Sequence, residues 1–319
     1  MVPDATFTSY YGRPIVKAAP WTHDIPAYLF LGGLAAGSSL LAAGAAATDR
    51  PALARTSRLG ALAGISLSLV ALVHDLGRPS RFANMLRVAK PTSPMSVGTW
   101  LLMAYGPMAG LAGAAELSAA LPPVRDSLPG KMLGAVSTPA GVLAAGLAPA
   151  VAAYTAVLLA DTSTPSWRAA YRELPFVFVG SAAAAAGGLA MIGAPVAEAG
   201  PARRMAVGGA LLELAMEHQM EQSMGITAEP LHAGQAGRVM RASKVFTIAG
   251  AVGAGLLGRR NRIAAAVSGA ALLAGSAGTR FGIFEAGQAS ARDPKYTVVP
   301  QRERLTYTEE TSVTPGEGV

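Results

Sequence analysis

The sequence contains no cysteine among its 319 residues. This absence excludes disulfide bonds, thiolate-bound zinc and any iron–sulfur cluster held by cysteines of this chain. The redox state of the compartment therefore cannot be inferred from cysteine usage. Charged residues are also scarce, at 14% against about 25% in soluble domains, whereas 51% of the residues are hydrophobic. These proportions exclude an ordinary soluble globular protein.

Long apolar stretches replace the missing charge. About 20 apolar residues, each adding about 1.5 Å along a helix, cross the hydrocarbon core of a bilayer. Stretches of roughly that length occur at 26–47, 58–76, 97–120, 138–160, 173–193, 204–224, 240–257 and 263–286. They predict an all-α integral membrane protein, a bundle of about eight transmembrane helices with both termini on the same face. Because charges interrupt 204–224 and 240–257, an interfacial or re-entrant segment is an alternative there.

The predicted spans divide the chain into three parts. Residues 1–25 form a polar N-terminal segment, residues 26–286 the transmembrane bundle, and residues 287–319 a polar C-terminal tail. The tail contains three prolines and is expected to be extended or docked on a partner. We call the end of the bundle that carries both termini and the loops 74–96 and 161–172 the terminal face.

Basic residues suggest an orientation. The short loops opposite the terminal face hold ten Lys and Arg on about forty residues, which favours the cytoplasm for those loops. We therefore predict a multi-pass protein of the cell (cytoplasmic) membrane with its termini on the outer face, although the longer terminal-face segments hold more Lys and Arg in total. The net charge of +7 is spread over loops rather than gathered in one stripe. Membrane lipid is thus an expected partner and nucleic acid is not.

The second span ends in His74 and Asp75, followed by Arg78. One interpretation is structural: an ion pair between Asp75 and Arg78 closes the helix. The other is proton exchange, because histidine titrates near neutrality and burial disfavours a charged carboxylate.

Three acids recur at helical spacing in the sixth span. Glu213, Glu217 and Glu221 lie on one helical face. Unpaired carboxylates at membrane depth are expected to be protonated or matched by cations, and Lys244 and Arg280 of the last two spans are available. Structural charge pairing and a proton-transfer route both remain open.

Metal and haem sites are not expected. The four histidines include only His23 and His74 as a plausible facing pair, and both lie near the membrane boundary. Bis-histidine haem in a bundle requires two inward imidazoles that face each other. We therefore predict no metal ligands, no haem and no iron–sulfur cluster in this chain.

Several motifs together resemble the NrfD/polysulfide-reductase membrane-subunit family over residues 21–304. They are Trp21, IPAYLFLGGLAAG at 25–37, DLGRP at 75–79, RFANMLR at 81–87, SPMSVGTW at 93–100, YTAVLL at 154–159, PSW at 165–167, RFG at 280–282 and ARDPKY at 291–296. The acid-rich sixth span departs from the pattern.

The resemblance implies a quinone-binding membrane anchor of a respiratory oxidoreductase, with quinone or menaquinone as its bound substrate. It also implies a ferredoxin-like iron–sulfur subunit and a molybdopterin catalytic subunit as partners. By the same resemblance, His23, Asp75 and Tyr154 contact the quinone headgroup, with Tyr28 as a fourth candidate. The residue chemistry agrees, because a quinone needs hydrogen-bond donors at its carbonyls and a proton route to water.

Two other functions remain open at this stage. A proton-coupled transporter would use the same buried acids, although it should show inverted repeats or helices broken near the midplane. A purely structural anchor would bind its partner without touching quinone.

Overall fold

The computed structural model describes the backbone of residues 13–312 and the side chains of residues 13–303. Within that part of the chain, all regular structure is helical. Eight long helices make up the bundle: α1 Asp24–Ala47, α2 Pro51–Asp75, α3 Pro94–Ala120, α4 Leu128–Ala160, α5 Leu174–Gly193, α6 Gly200–Ser223, α7 Gly234–Leu256 and α8 Arg262–Arg292. Each overlaps one of the eight apolar stretches, so the all-α class is confirmed.

Five of these helices, α1, α2, α4, α5 and α7, are long and apolar enough to cross a membrane. Helix α6 carries three glutamates, which lowers its apolar character despite its 24 residues. It stays a prediction that α3, α6 and α8 also cross the membrane. The location of both termini on one side of the membrane also stays a prediction.

Local signals set the ends of the helices around the functional region. The hydroxyl of Ser93 accepts a hydrogen bond from the Ser96 N–H, and Pro94 occupies the first turn of α3, where its missing N–H has no cost. At the end of α2, Gly77 has a φ of +64°. Glycine adopts this left-handed conformation without strain, so the chain turns away from the helix just after Asp75.

Small residues allow the helices to approach closely. A Cβ added at Gly37 on α1 would lie only 2.7 Å from the Cβ of Ala186 on α5. A Cβ at Gly188 on α5 would lie 2.7 Å from the carbonyl oxygen of Gly269 on α8. Close backbone contact of this kind is typical of membrane helices, which associate through packing rather than through exclusion of water. Helix α1 consequently packs against α2, α4, α5 and α8.

The outer surface of the bundle is also apolar. Large side chains on several helices are more than half exposed, among them Leu67, Val70, Val142, Leu143 and Val252. Exposed apolar area of this extent marks a surface that contacts lipid or other protein.

Contacts between loops assemble the terminal face. The Ser166 hydroxyl donates to the carbonyl of Thr227 at 2.8 Å, and the backbone N–H of Ser166 donates to the hydroxyl of Ser290 at 3.2 Å. The rings of Trp21 and Trp167 stack with centroids 5.7 Å apart. The loop at 161–172 is therefore fixed to the start of α1 and the end of α8.

The C-terminal tail is helical rather than extended over part of its length, and its docking on a partner stays a prediction. Residues Lys295–Ser312 form a further helix, α9, which packs against the short helices Pro165–Ala169 and Gly225–Ala228. Helix α8 runs on to Arg292, beyond the expected end of the bundle at residue 286. The division of the chain into three segments stays a prediction.

Candidate functional site

A cavity of about 170 Å³ lies between α1, α2, α3 and α4 at the terminal face. Tyr28 from α1, Asp75 from α2 and Tyr154 from α4 line it, so the structure brings three of the four predicted quinone ligands together. Most of the remaining lining is apolar, including Trp21 and Leu102. An apolar enclosure with a few convergent polar groups is typical of a small-molecule site.

Tyr154 has an unsatisfied hydroxyl. Its oxygen is buried, and it has no hydrogen-bond partner among the described residues. The ring packs closely against Gly98 of α3, and a Cβ at Gly98 would overlap ring atoms of Tyr154. A buried hydroxyl without a partner is costly. The arrangement therefore leaves a hydrogen-bond donor available to a ligand in the cavity.

Asp75 is held by a residue that the sequence reasoning did not single out. Its Oδ1 accepts hydrogen bonds from the Thr22 backbone N–H at 2.9 Å and from the Thr22 hydroxyl at 2.8 Å. The ion pair between Asp75 and Arg78, one of the two interpretations of this motif, is not formed within residues 13–303. Because Gly77 turns the chain outward, Arg78 is exposed.

A chain of polar groups continues from Asp75 to the surface. The Thr22 hydroxyl also lies 3.0 Å from Oδ2 of Asp24. The same carboxylate oxygen is 2.7 Å from Nδ1 of His74, whose side chain is 78% exposed. His74 thus reaches Asp75 through Asp24 and Thr22 rather than by direct contact.

His23 does not line the cavity. Its Nε2 lies 2.6 Å from Oε1 of Glu285 on α8, and its ring stacks on Phe281 with centroids 6.1 Å apart. The one-residue offset from Thr22 and Asp24 turns its side chain toward α8. A role for His23 at the quinone headgroup stays a prediction, without support from its position here.

A second, larger cavity of about 270 Å³ adjoins the first. The two share four lining residues, Leu72, Met85, Thr99 and Leu102. Beyond these, its lining residues are apolar and include Phe82, Gly106 and Pro107. The polar end near Tyr154 therefore continues into an apolar compartment between α2 and α3.

The acid face of α6 lies outside both cavities. Lys244 of α7 lies 3.2 Å from Oε1 of Glu217 and 3.4 Å from Oε1 of Glu221. Glu213 is fully buried, and its Oε1 accepts a hydrogen bond of 2.6 Å from the Thr279 hydroxyl. Arg280, also buried, donates from Nη2 to the carbonyl of Phe178 at 2.7 Å.

Sequence reasoning missed Thr22 and Gly98. Thr22 lies beside His23 and Asp24 at the start of α1. Its hydroxyl so close to an acid was the sequence signal that could have indicated a hydrogen-bonding role. No sequence signal marked Gly98, because its role depends on the position of a ring from another helix.

The fold and the cavity together define a helical membrane protein with a partly polar cavity at one end of its bundle. The chain matches the family model described as Polysulphide reductase, NrfD, over residues 15–205. The matched region contains α1 to α5 and every residue that lines the first cavity.

The chain therefore belongs to the NrfD family, whose members are membrane subunits of oxidoreductase complexes. Comparison with curated proteins found no match.

Proposed function

We propose that this chain is the quinone-binding membrane anchor of a respiratory oxidoreductase and exchanges electrons with an iron–sulfur partner subunit. The observation that carries the proposal is the buried hydroxyl of Tyr154, which has no partner within residues 13–303, in a cavity that Asp75 also lines. A quinone carbonyl is an acceptor that completes the hydrogen bonding of Tyr154.

The two ends of the site suit the two parts of a quinone. In this proposal the headgroup lies among Tyr28, Asp75 and Tyr154, and the isoprenoid tail follows the apolar cavity past Gly106 and Pro107. Together the two cavities reach the range of about 300–1,000 Å³ that ligand sites occupy. Met103 lines the apolar cavity and is exposed on the surface of the bundle, where a tail would have access from lipid.

Quinone reduction consumes two electrons and two protons, and quinol oxidation releases them. Among the ionisable groups that line the cavity, Asp75 is hydrogen-bonded to the row of polar groups that ends at exposed His74. We propose that protons pass between Asp75 and His74 through the hydroxyl of Thr22 and the carboxylate of Asp24, whose successive contacts are all 3.0 Å or shorter. Positioned groups that titrate near neutrality serve well as proton carriers.

Electrons require a partner, because the chain has no cysteine to hold a cluster. The proposed partner is a ferredoxin-like iron–sulfur subunit docked on the terminal face, next to the cavity, with a molybdopterin subunit beyond it. The stacked rings of Trp21 and Trp167 join the cavity wall to the loop at 161–172, which the partner would contact.

The test is Tyr154→Phe in the assembled complex, with quinone affinity and quinol turnover measured in lipid vesicles. We expect weaker quinone binding by a factor of about five to ten, since a hydrogen bond to an uncharged group contributes about 1 kcal/mol. Assembly should be retained because the ring and its contact with Gly98 are unchanged.

Tyr105→Phe is the matched control. Tyr105 is fully buried, whereas Tyr154 is partly buried with a buried hydroxyl oxygen. The Tyr105 hydroxyl is bonded to Ser39 at 2.8 Å, and Tyr105 does not line the cavity. It should lose stability without loss of quinone affinity. Equal quinone binding by the parent and the Tyr154 variant would contradict the proposed site.

A further inference from the structure

A second group of buried ionisable side chains lies between α5, α6, α7 and α8, apart from the quinone cavity. Glu213 and Arg280 are each only 1% exposed. Within residues 13–303, Oε2 of Glu213 and Nε and Nη1 of Arg280 have no hydrogen-bond partner. One carboxylate oxygen and two guanidinium nitrogens are thus unsatisfied in the same interior region.

These atoms do not satisfy each other. The two side chains interact electrostatically, but no contact between them falls within ion-pair distance among the described residues. Arg280 instead lies over the ring of Phe178, with its guanidinium carbon 3.8 Å from the ring centroid. Buried polar atoms without a protein partner are normally bonded to internal water. The unsatisfied atoms of Glu213 and Arg280 are therefore the groups to which internal water would bond.

Acidic groups connect this site to the terminal face. Glu217 and Glu221 follow Glu213 along one face of α6, at steps of about 6 Å. Lys244 bridges Glu217 and Glu221, and Oε2 of Glu221 lies 3.9 Å from Nε2 of His232. The His232 side chain is 59% exposed. The row of groups therefore ends at the surface on one side and at the buried pair on the other.

The other charges near Glu213 are few. Helix α8 contributes Arg280, and α6 itself contributes Glu217, which is paired with Lys244 of α7. Helix α5 offers no charge, but its Ser181 hydroxyl, which is bonded to Ser276 at 2.8 Å, also interacts with the Glu213 carboxyl. Arg280 on α8 is thus a fixed cation near Glu213, and α6, which carries Glu213, also carries the acids that lead to the surface.

We propose that Glu213 and Arg280 form an internal hydrated site that takes up a proton from water at the terminal face by way of Glu221 and Glu217. One proton enters and converts the Glu213 carboxylate to a carboxylic acid, and the same proton leaves by the same route. Arg280 stays charged and Thr279 stays bonded in both states. The proposal is independent of the quinone site and concerns the resting protein.

Infrared spectroscopy of the carboxylic-acid C=O band tests it. The full chain, in its complex and without added quinone, is held in lipid vesicles while the bulk pH is changed or H₂O is replaced by D₂O. We expect a band in the parent that changes intensity with pH, shifts in D₂O and is missing in Glu213→Gln.

Glu217→Gln should keep that band but slow its deuterium shift by about 10²-fold, because removing the intermediate carboxyl leaves a gap of about 12 Å to Glu221. The matched control is Glu173→Gln. Glu173 is buried, and its Oε2 has no partner in the part of the chain that the structure describes, but it lies before α5 and outside the row. It should change neither the band nor its rate.

A structural ion pair gives a different result. A Glu213 band that is absent at every pH, or a deuterium shift equally fast in the parent and in Glu217→Gln, would overturn the proposal. If Glu213→Gln does not assemble, Glu213→Asp keeps a carboxylic acid and should move the band to a new frequency, so the assignment is still tested.

Discussion

The hydroxyl of Thr22 lies 2.8 Å from Oδ1 of Asp75, although 53 positions separate the two residues in the chain. The Thr22 backbone N–H donates to the same oxygen. Two donors from the segment before α1 therefore hold the carboxyl at the end of α2 in place at the cavity. The same hydroxyl contacts Asp24, so Thr22 connects the cavity acid to exposed His74 through hydrogen bonds.

Replacing Thr22 by valine tests this link. Valine retains the shape and the backbone N–H but removes the hydroxyl. A hydrogen bond to a charged group contributes about 1.5–3 kcal/mol, so we expect quinol turnover to fall about tenfold or more. The solvent deuterium isotope effect on turnover should rise, because proton transfer becomes limiting. Quinone affinity should change little, since Thr22 does not line the cavity.

Thr22→Ser is the control for that experiment, because serine restores the hydroxyl. It should turn over like the parent. A serine variant as slow as the valine variant would show that packing of the threonine methyl matters rather than its hydroxyl.

Gly98→Ala should damage the site through Tyr154. The added methyl overlaps the tyrosine ring, and overpacking of this kind costs about 1–3 kcal/mol. We expect lower thermal stability together with weaker quinone binding, measured on the purified complex. Gly110→Ala on the same helix is the control, because a Cβ there meets nothing within 4 Å. It should bind quinone normally and be slightly more stable, since alanine favours the helix.

Gly106→Leu should separate the two parts of the ligand. A Cβ at Gly106 has room, with Ile65 Cγ1 at 3.9 Å, but a leucine side chain fills much of the apolar cavity. We expect a higher KM for long-tailed quinones and an unchanged KM for a short-tailed analogue, compared in one vesicle assay. An equal effect on both would mean that the tail does not pass Gly106.

The attachment of α9 should depend on pH. Lys295 donates to Glu229 at 2.6 Å and thereby lowers the pKa of Glu229 below its usual 4.5. Donation to Glu229 also raises the pKa of Lys295 above its usual 10.5, against a smaller opposing effect of burial. Because the pKa of Glu229 is lower in the docked form than in the undocked form, its charge stabilises docking above the undocked pKa. This stabilisation is lost as the pH falls through the docked pKa. The pKa of Lys295 is higher in the docked form, so the stabilisation from its charge is lost as the pH rises through that docked pKa.

Docking should therefore be complete between about pH 5 and 10 and weaken on either side. Amide hydrogen exchange of residues 295–303, corrected for the intrinsic rate, would measure this. Glu229→Gln removes the charged partner, so the acid-side change should disappear in that variant. If it persists, another group controls the attachment of α9.

Hydropathy predicted the positions of the helices, because a single apolar span in lipid can satisfy its own backbone hydrogen bonds only as a helix. The NrfD resemblance also led to Tyr28, Asp75 and Tyr154, three residues from separate helices that line one cavity. These parts of the fold were accessible because helix length and local motifs determine them.

The directions of the side chains could not be predicted from the sequence. His23 and Thr22 are neighbours in sequence, yet Thr22 bonds to Asp75 on α2 and His23 bonds to Glu285 on α8. A rotation of about 100° per residue at a helix start decides between these partners. That rotation follows from packing of α1 against four other helices, which no local pattern encodes.

The polar chain from Asp75 to His74 ends on the side of the bundle where the loop at 161–172 meets Trp21. In the proposed complex, electrons and protons released by quinol would leave toward the same compartment. Such a reaction is electroneutral at this site: it moves no net charge through the bilayer and is not slowed by the membrane potential. Any contribution of the complex to that potential would then require a separate charge movement, coupled to turnover but not located at the quinone headgroup.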